Sequence, residues 1–548
     1  MVRIVFAEGG DSFSWNVVGA LPVPRRDVEI VPAPSLVADP SRLDGADALV
    51  VGPGPTDPER AGLVRLVREA AWRRLPTLGI CLGHQAIGAA FGANVRRVPP
   101  VHGRTAVVRF VPSRLFPGFE GDLRAMRYHS LALDGVGAPL RTVASCEGLP
   151  MAIEHESLPI AGLQFHPDSY ATERGPELLA AFFAAVGLHG RVAPRRQIPS
   201  LPPSGGEVAP SRAPPIALSE LDALPSFALL GPGFTGGAWR LLSGLEPAPG
   251  VLDLVLADFE DRVPSTFRAS ASRDGPLAAD VAPAALDPAL DARGHADGVQ
   301  AIRALIAAGD VYQVNLTLRA RLAPVAGGAL LATALARGSP PFAAWIRLPG
   351  GRELVSASPE LLLEVTGRRV RSEPMKGTAA GGEERRLAAS AKDAAELAMI
   401  TDLVRNDLAP VCVPGSVTVA AERRLVSLPY AVQAVADVEG ELAPGAGPLE
   451  ALAALHPGGS VTGAPKPAAL AAIAALERTP RGAYCGALGH GAGARFVASL
   501  LIRTAERAGG GAWTCGVGGG IVIDSDPAAE LAEATLKLEA LCGTRHSA

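Results

Sequence analysis

The sequence predicts an α/β doubly wound fold for the first 189 residues, followed by a linker and a second, larger domain. Short apolar runs alternate with helical stretches in the first part. A segment rich in proline, glycine, serine and arginine, without apolar periodicity, spans residues 190–215. The 548 residues also exceed what one hydrophobic core organises. We therefore expect one domain at 1–189 and another at 216–548.

Four apolar runs of the first part are expected as buried strands: Val2–Phe6, Ala48–Val51, Thr77–Ile80 and Ile160–Phe165. The stretch Pro58–Arg74 is predicted to be a helix. Functional groups in such a sheet lie at the carboxyl ends of strands.

Cys81 lies at such a strand end, in T-L-G-I-C-L-G-H. Gly79 and Gly83 permit a sharp turn from strand into helix, which would expose the sulfur to the field of the helix N-terminus. His166 follows another strand and is a candidate base. The alternative interpretation of Cys81 is an ordinary buried cysteine.

Composition favours small-molecule partners. The net charge is −4 and neither sign forms a long block, which argues against nucleic acid and anionic membranes. Six scattered cysteines indicate a reducing compartment. The apolar run at the N-terminus is too short for a signal peptide, and no uninterrupted apolar run reaches the length of a membrane span. We expect a cytoplasmic protein.

Lys376, in P-M-K-G-T, is a candidate nucleophile. Pro374 and Met375 before it and Gly377 after it form an apolar, turn-forming setting, and a desolvated lysine is a better nucleophile or base. The alternative is an exposed loop lysine, the commoner situation.

Two predicted helices carry acids on one face. Asp393 and Glu396 are three residues apart, and so are Glu530 and Glu533, with Lys537 on the same face. Such pairs are usually solvated helix surface. Facing pairs from two helices nevertheless form an oxygen-rich set that suits Mg²⁺ together with a substrate.

Local signals mark the surroundings of the second acid pair. Asp526 and Pro527 indicate a helix start, and Gly543 a stop. The preceding Gly516–Gly520 segment would present backbone N–H groups to an anion, or form an ordinary hairpin turn.

Residues 1–189 resemble the class I glutamine amidotransferases in six motifs. These are D-S-F-S-W-N from Asp11, G-P-G-P from Gly52, G-I-C-L-G-H-Q from Gly79, H-G-R from His102, R-Y-H-S-L from Arg127 and Q-F-H-P-D-S from Gln164. The resemblance implies that Cys81 attacks the glutamine amide, that His166 transfers the proton and that ammonia is released. It places the carboxylate at Asp168, where the family usually has glutamate. It also implies an oxyanion hole or glutamine pocket at Gly54, Leu82, Gln85, Ser130 and Leu131.

The second part resembles the chorismate-utilising enzymes from about residue 300 to 540. The matching motifs are G-D-V-Y-Q-V-N-L-T from Gly309, S-A-S-P-E from Ser356, P-M-K-G-T from Pro374, A-K-D-A-A-E-L-A-M-I-T-D-L-V-R-N-D-L from Ala391, H-P-G-G-S-V-T-G-A-P-K from His456, Y-C-G-A-L-G from Tyr484, L-I-R-T from Leu501 and the glycine-rich run with its helix from Gly518. The resemblance implies an α+β fold around a Mg²⁺-dependent pocket.

That resemblance also assigns roles. Glu396 and Glu533 correspond to the principal Mg²⁺ ligands, with Asp393 and Glu530 in support, and Glu360 corresponds to the general acid for the C4 hydroxyl. Chorismate-binding positions are implied at Gln313, Thr462, Tyr484, Arg503, Gly518, Gly519 and Lys537.

Within this family, Lys376 indicates an aminodeoxychorismate synthase, in which the lysine adds at ring C2 before ammonia adds at C4. Anthranilate synthases carry alanine at this position, and isochorismate and salicylate synthases carry lysine where this chain has Gln313. The amidotransferase-first order is similar to fused aminodeoxychorismate synthases. The implied substrates are chorismate and L-glutamine, and pyruvate elimination is expected from a separate aminodeoxychorismate lyase.

Two alternatives remain open at the level of sequence. One is anthranilate synthase chemistry on the same scaffold. The other is a regulatory protein that binds chorismate or glutamine with impaired catalysis, because Asp168 and Gln433 depart from the family pattern, which has Glu and His there. The sequence leaves the oligomeric state open.

Overall fold

The computed structural model describes residues 2–188, 213–336, 338–428 and 431–542. The predicted linker at 190–215 lies outside the described residues except for its last three positions. No helix in the described part of the chain is long and apolar enough to cross a membrane.

The first domain is built on one mixed sheet with helices packed against it. Its strands are β1 (Ile4–Glu8), β2 (Val28–Pro32), β3 (Ala48–Val51), β4 (Thr77–Ile80), β5 (Val95–Phe110), β6 (Gly121–Leu133), β7 (Leu140–Cys146), β8 (Leu149–His155) and β9 (Ile160–Leu163). Its helices are α1 (Ser14–Ala20), α2 (Ala33–Ala38), α3 (Leu63–Trp72), α4 (Leu82–Ala90) and α5 (Gly175–Ala185).

The strand order is β2-β1-β3-β4-β9-β8-β7-β5-β6, and the first five strands are parallel. Strands β1, β3, β4 and β9 are apolar and buried, as expected for strands covered by helices on both faces. The α/β doubly wound prediction is confirmed. Helix α3 begins at Leu63 rather than Pro58, because Gly62 before it adopts a left-handed φ of 71°.

Among its described residues, the second domain contains one sheet of 18 strands and a separate sheet of two short strands, the first and the sixth strand of the domain. Its strands are β10 (Ile216–Ala217), β11 (Phe227–Leu230), β12 (Trp239–Pro247), β13 (Leu254–Ala257), β14 (Ser265–Gly275), β15 (Leu277–Ala278), β16 (Ala289–Asp291), β17 (Gln313–Leu322), β18 (Phe342–Arg347), β19 (Glu353–Ser358), β20 (Leu361–Thr366), β21 (Arg369–Ser372), β22 (Met375–Ala379), β23 (Thr418–Leu428), β24 (Ala431–Glu441), β25 (Gly463–Ala464), β26 (Ala487–Ala492), β27 (Arg495–Leu500), β28 (Thr504–Arg507) and β29 (Trp513–Ile521).

Ten helices of the described residues surround this sheet: α6 (Leu218–Leu221), α7 (Pro232–Thr235), α8 (His295–Ala308), α9 (Gly327–Leu335), α10 (Glu384–Ala389), α11 (Ala391–Leu408), α12 (Pro448–Leu455), α13 (Gly459–Thr462), α14 (Lys466–Leu476) and α15 (Pro527–Cys542). Strand β17 pairs antiparallel with β29, and β22 pairs with β24. Almost all of the ladders are antiparallel, which confirms the α+β prediction.

Helices α11 and α15 carry the predicted acid pairs. Ser390 caps α11 by accepting the Asp393 N–H through its hydroxyl. Asp526 accepts the N–H groups of Ala528 and Ala529 at the start of α15, as its sequence predicts.

The two domains share one apolar cluster. Phe13 and Tyr128 of the first domain pack with Tyr312 and Ile306 of the second. The rings of Phe13 and Tyr128 are stacked with centroids 4.6 Å apart, and Phe13 and Tyr312 are nearly parallel at 6.1 Å. Gly103 approaches α11 so closely that a Cβ there would lie 2.1 Å from the Ala395 carbonyl oxygen. Burial of this cluster joins the domains into one body.

Candidate active sites

Cys81 sits at the turn from β4 into α4 with a strained backbone, φ 52° and ψ −101°. The turn is tight because Gly79 and Gly83 leave no room for side chains: a Cβ would lie 2.3 Å from the Gly83 carbonyl oxygen and 2.1 Å from that of Val51, respectively. The Cys81 Sγ lies 3.6 Å from the carbonyl oxygen of Tyr128. The sharp turn from strand into helix is as predicted, but the expected exposure of the sulfur is wrong, because Cys81 is buried.

His166 and Asp168 lie together beside Cys81. His166 Nδ1 is 3.3 Å from Asp168 Oδ1, and both side chains are buried. Burial alone would lower the pKa of His166, but its interactions with the nearby Asp168 carboxylate and Cys81 outweigh burial and raise that pKa well above its ordinary value. The His166–Asp168 contact is an ion pair without aligned hydrogen-bond geometry. The short aspartate therefore reaches the imidazole, but loosely.

The other predicted positions of this domain surround the cysteine. Gly54 packs on Leu82, since a Cβ on Gly54 would lie 2.8 Å from Leu82 Cδ2. Gln85 donates to the Leu131 carbonyl oxygen at 2.9 Å. Ser130 differs from the expectation: its hydroxyl donates to the carbonyl oxygen of Ile306 in the second domain, so its side chain serves the domain interface.

Lys376 lies on β22 and is half-buried. Its charge acts on the carboxylates of Glu360, Glu396 and Glu533. The surroundings of the amine are thus anionic, whereas the neighbours in sequence suggested an apolar pocket. A β-strand alternates its side chains between two faces, so the apolar neighbours in sequence do not determine what the lysine faces.

Glu360 is buried at the start of β20, where it accepts a hydrogen bond of 2.8 Å from the Ser460 hydroxyl. Burial raises the pKa of Glu360 to about 7, and Ser460, Lys376 and the Met375 N–H limit that rise. A carboxyl group with this pKa is partly protonated near neutral pH, as proton donation requires.

Two buried glutamines of the second domain have amide atoms without hydrogen-bond partners among the described residues. Gln313 is fully buried, and neither atom of its amide has a hydrogen-bond partner among the described residues; the same holds for Gln433 Oε1. A Cβ on Gly520 would lie 2.2 Å from Gln313 Nε2 and 3.0 Å from Lys376 Nζ. Buried amides without protein partners beside a lysine indicate room for a polar ligand.

The glycines of β29 form the floor of this space. A Cβ on Gly516 would lie 2.0 Å from the Tyr484 ring, and one on Gly519 would lie 3.0 Å from Glu530. Lys537 donates to the Gly518 carbonyl oxygen at 2.9 Å. Side chains on this strand would fill the space that the glycines leave open.

Arg503 and Thr462 are two further predicted chorismate-binding positions. Arg503 adopts a left-handed φ of 51° immediately before β28. Thr462 is fully buried in α13, and its hydroxyl donates to the Gly458 carbonyl oxygen at 3.0 Å. The Thr462 hydroxyl thus retains acceptor capacity.

The four predicted metal-binding acids approach one another across α11 and α15. Lys392 Nζ lies 3.9 Å from both Glu396 and Glu530. Burial, together with the charges of Asp393 and Glu533, raises the pKa of Glu396 despite two nearby lysines. Burial also disfavours the Glu533 carboxylate, but Lys537 outweighs it and keeps that pKa below its ordinary value.

No group of three acids, histidines or cysteines within the described ranges is arranged to hold a metal on its own. The facing carboxylates nevertheless fit Mg²⁺, which binds through one or two carboxylates and completes its shell with water and substrate. Burial is the main cause of the raised pKa of Glu396, and the charges of Asp393 and Glu533 add to it.

A cavity of about 40 Å³ lies between the two domains. His102 and Tyr312 form one wall, and Glu396 and Met399 of α11 form another. Tyr312 donates to Asp11, whose pKa burial raises to about 6. The cavity therefore adjoins residues of both sites.

Sequence reasoning missed two contacts of these sites. Ser460 lies in the H-P-G-G-S-V-T motif, but nothing in the local pattern predicts that its hydroxyl meets Glu360 across 100 residues. The pairing of Tyr312 with Asp11 joins residues 301 apart in the chain and depends on domain docking.

Comparison with known proteins assigns both domains. The protein-family model of the class I glutamine amidotransferases matches residues 5–186, and the family model of the chorismate-binding enzymes matches residues 258–543.

Two relatives align over nearly all of this chain and nearly all of their own length. An aminodeoxychorismate synthase from Streptomyces griseus is 31% identical over 98% of this chain and 94% of its own. Another, from Streptomyces pristinaespiralis, is 30% identical over 98% of this chain and 96% of its own. A menaquinone-specific isochorismate synthase from Escherichia coli shares the fold of the second domain, with a TM-score of 0.51 and 19% identity over 61% of this chain and 92% of its own. The chain belongs to the aminodeoxychorismate synthase family, with a class I glutamine amidotransferase domain followed by a chorismate-binding domain.

Proposed function

We propose that the protein aminates chorismate at ring C4, with ammonia derived from glutamine, to give 4-amino-4-deoxychorismate. The observation that carries this proposal is the position of Lys376, whose amine lies beside the unpartnered amide of Gln313 and in the field of Glu360. Family membership supports the same reaction.

The regiochemistry follows from two successive allylic displacements. The neutral Lys376 amine forms a bond to C2, both conjugated ring double bonds shift, and the C4–O bond breaks. Ammonia then forms a bond to C4, both double bonds shift back, and the C2–N bond breaks, which releases the lysine amine. One direct attack by ammonia with the same allylic shift would instead leave the nitrogen at C2.

Glu360 is proposed as the acid that protonates the departing C4 hydroxyl, so that water leaves. Its pKa of about 7 supports this role, because the carboxyl group holds its proton in a substantial fraction of molecules at neutral pH.

Glu396 and Glu533 are proposed to hold Mg²⁺, with Asp393 and Glu530 in support. The metal would supply positive charge to a substrate carboxylate. Tyr484, Arg503, Lys537 and the N–H groups of Gly518 and Gly519 are proposed to bind the chorismate carboxylates, with Gln313 and Thr462 contacting the same ligand. Arginine suits a carboxylate because its donors form a fork.

Cys81 is proposed as the glutaminase nucleophile, with His166 as its base and Asp168 orienting the imidazole. The N–H groups of Gly54 and Leu82 would stabilise the oxyanion. Gln85 and Leu131 are proposed to shape the glutamine pocket, with the Ser130 backbone beside them. The raised pKa of His166 supports an imidazole that readily accepts the thiol proton.

Ammonia is proposed to cross the interface through the cavity beside His102 and Tyr312. Its volume of about 40 Å³ holds a molecule the size of water or ammonia. Because Glu396 lines the opposite wall, the exit would open beside the chorismate pocket.

We further propose a cytoplasmic location and a separate lyase that removes pyruvate from the product. All six cysteines are free and buried, which supports a reducing compartment.

A product assay tests the function. With chorismate, glutamine and Mg²⁺, we expect no fluorescent anthranilate, and p-aminobenzoate once an aminodeoxychorismate lyase is added. Anthranilate formed directly would refute amination at C4. If the protein converts chorismate neither with glutamine nor with ammonium, catalysis is refuted and a binding role is favoured.

A further inference from the structure

Helix α11 of the chorismate-binding domain places a buried carboxylate, Asp402, against the amidotransferase domain. Only 1% of Asp402 is exposed. Its Oδ2 accepts hydrogen bonds from the Tyr128 hydroxyl at 2.9 Å and from the Ser169 hydroxyl at 2.6 Å, both across the domain interface. Arg405, one turn further along α11, pairs with the same carboxylate.

The residues that Asp402 holds are the immediate neighbours of the glutaminase residues. Ser169 follows Asp168 in the chain, and Arg405 donates to the Asp168 carbonyl oxygen at 3.2 Å. The Tyr128 carbonyl oxygen contacts Cys81 Sγ at 3.6 Å, and the Tyr128 ring meets His166 edge-on with centroids 5.0 Å apart. One carboxylate thus braces both sides of the Cys81–His166–Asp168 group.

This support matters because the contact between Asp168 and His166, which orients the imidazole, is long and poorly aligned. The Asp168 carboxylate lies 3.3 Å from His166 without aligned hydrogen-bond geometry. A side chain as short as aspartate cannot compensate for a displaced backbone, and a misplacement of about 1 Å costs roughly 100-fold in rate. The position of residues 168 and 169 therefore decides whether the imidazole is oriented.

We propose that Asp402 is a positioning residue of the glutaminase site, supplied by the chorismate-binding domain. Through Ser169 and Tyr128 it holds Asp168 and the Cys81 surroundings in their productive places. Glutamine hydrolysis then depends on a group that belongs to the ammonia acceptor, so the ammonia-producing site is complete only with the acceptor domain in place. This inference rests on the proposed glutaminase role of Cys81.

The test compares Asp402→Asn with the parent in the full chain. Asparagine has the same size as aspartate, but its side chain is a neutral amide. The substitution therefore weakens the acceptor of the hydrogen bonds from Tyr128 and Ser169 and removes the ion pair with Arg405. We expect the kcat for glutamate release from glutamine to fall roughly 10- to 100-fold, with the KM for glutamine changed less than about 3-fold. Ammonium-dependent consumption of chorismate should stay within about 2-fold of the parent.

Asn406→Ala is the matched control. Asn406 is the fourth residue after Asp402 on the same helix and accepts the Trp15 N–H at 2.8 Å, so it also joins the domains but does not touch the glutaminase residues. Its loss should change neither activity by more than about 3-fold. Equal losses of glutaminase activity in the two variants would overturn the proposal, because docking alone would then explain both.

Ser169→Ala approaches the same link from the other domain and serves if Asp402→Asn fails to fold. If Asp402 acts through Ser169, the double variant should lose little more glutaminase activity than Asp402→Asn alone. Additive losses, unchanged glutaminase activity in the single variants, or parallel loss of ammonium-dependent turnover would each overturn the proposal. Failure of the proposed function is distinguishable, since the parent would then release no glutamate at all or form no C4-aminated product.

Discussion

Lys376 shares its pocket with three carboxylates, and this environment determines what the lysine can do. The positive charge of Lys376 lowers the pKa of the carboxyl groups of Glu360, Glu396 and Glu533. The lysine therefore lies in the electrostatic field of the proposed general acid and of two of the acids proposed to bind Mg²⁺.

Replacing the lysine tests the covalent step. Lys376→Ala should lower formation of aminodeoxychorismate by roughly 1000-fold or more, because the amine that forms the bond to C2 is removed. Product formation measured with ammonium, which bypasses the glutaminase, isolates this effect. Product formation at the parent rate would remove Lys376 from the mechanism.

Ser460 predicts a specific change in pH dependence. Its hydroxyl donates to Glu360 and favours the charged carboxylate, so Ser460→Ala should raise the pKa of Glu360 further above about 7. Activity requires the protonated acid, so the alkaline limb of the kcat profile should move to higher pH, by about one unit.

The measurement is ammonium-dependent chorismate turnover between pH 6 and 9 at constant free ammonia, with Ser358→Ala as the comparison. Ser358 is also buried nearby, but its hydroxyl donates to the Leu500 carbonyl oxygen rather than to a carboxylate. If the alkaline limb of the kcat profile of Ser460→Ala stays at the pH of the parent or moves to lower pH, the role of Glu360 is contradicted.

At the scale of residues, chemical type was predictable and contacts were not. Gly79 and Gly83 predicted from the local pattern alone that Cys81 lies at a sharp turn from strand into helix, and the structure has this turn. The anionic surroundings of Lys376 and the interfacial position of the Ser130 hydroxyl arise from long-range packing, which no local spacing encodes.

Helices α11 and α15 bring their acids together because each places residues three apart on one face. The predicted start of α15 is confirmed, since Asp526 caps it. The start of α3 was predicted five residues too early, because Gly62 in a left-handed conformation ends the turn before it.

Removing one acid tests the metal site independently of turnover. Glu396→Gln should weaken Mn²⁺ binding, followed by electron paramagnetic resonance as a substitute for Mg²⁺, by roughly 10-fold or more, because a carboxylate ligand is lost. Glu383→Gln, an exposed acid of the same domain, should bind as the parent does. Equal affinity in the parent and Glu396→Gln would remove Glu396 from the metal site.

The whole molecule joins an ammonia source to an acceptor through a shared apolar cluster. Composition and motif order predicted the two domains and their sequence. They did not predict how the two domains pack against each other. Interdomain contacts such as that of Tyr312 with Asp11 join residues 301 apart, and the sequence around either residue does not indicate the other as its partner.

Blocking Cys81 should separate the two activities. Cys81→Ala should abolish glutamine-dependent amination and leave ammonium-dependent amination within about 2-fold of the parent, because free ammonia reaches the chorismate pocket without the glutaminase. Parallel measurements with glutamine and ammonium provide the check. Retained glutamine-dependent turnover would remove Cys81 as the nucleophile.

The position of the new nitrogen tests the central claim most directly. The protein is supplied with chorismate, Mg²⁺ and glutamine labelled with ¹⁵N in its side-chain amide, and the product is examined by nuclear magnetic resonance. We predict ¹⁵N bonded to ring C4 with the enolpyruvyl group retained. Label at C2, or in anthranilate, would contradict the account.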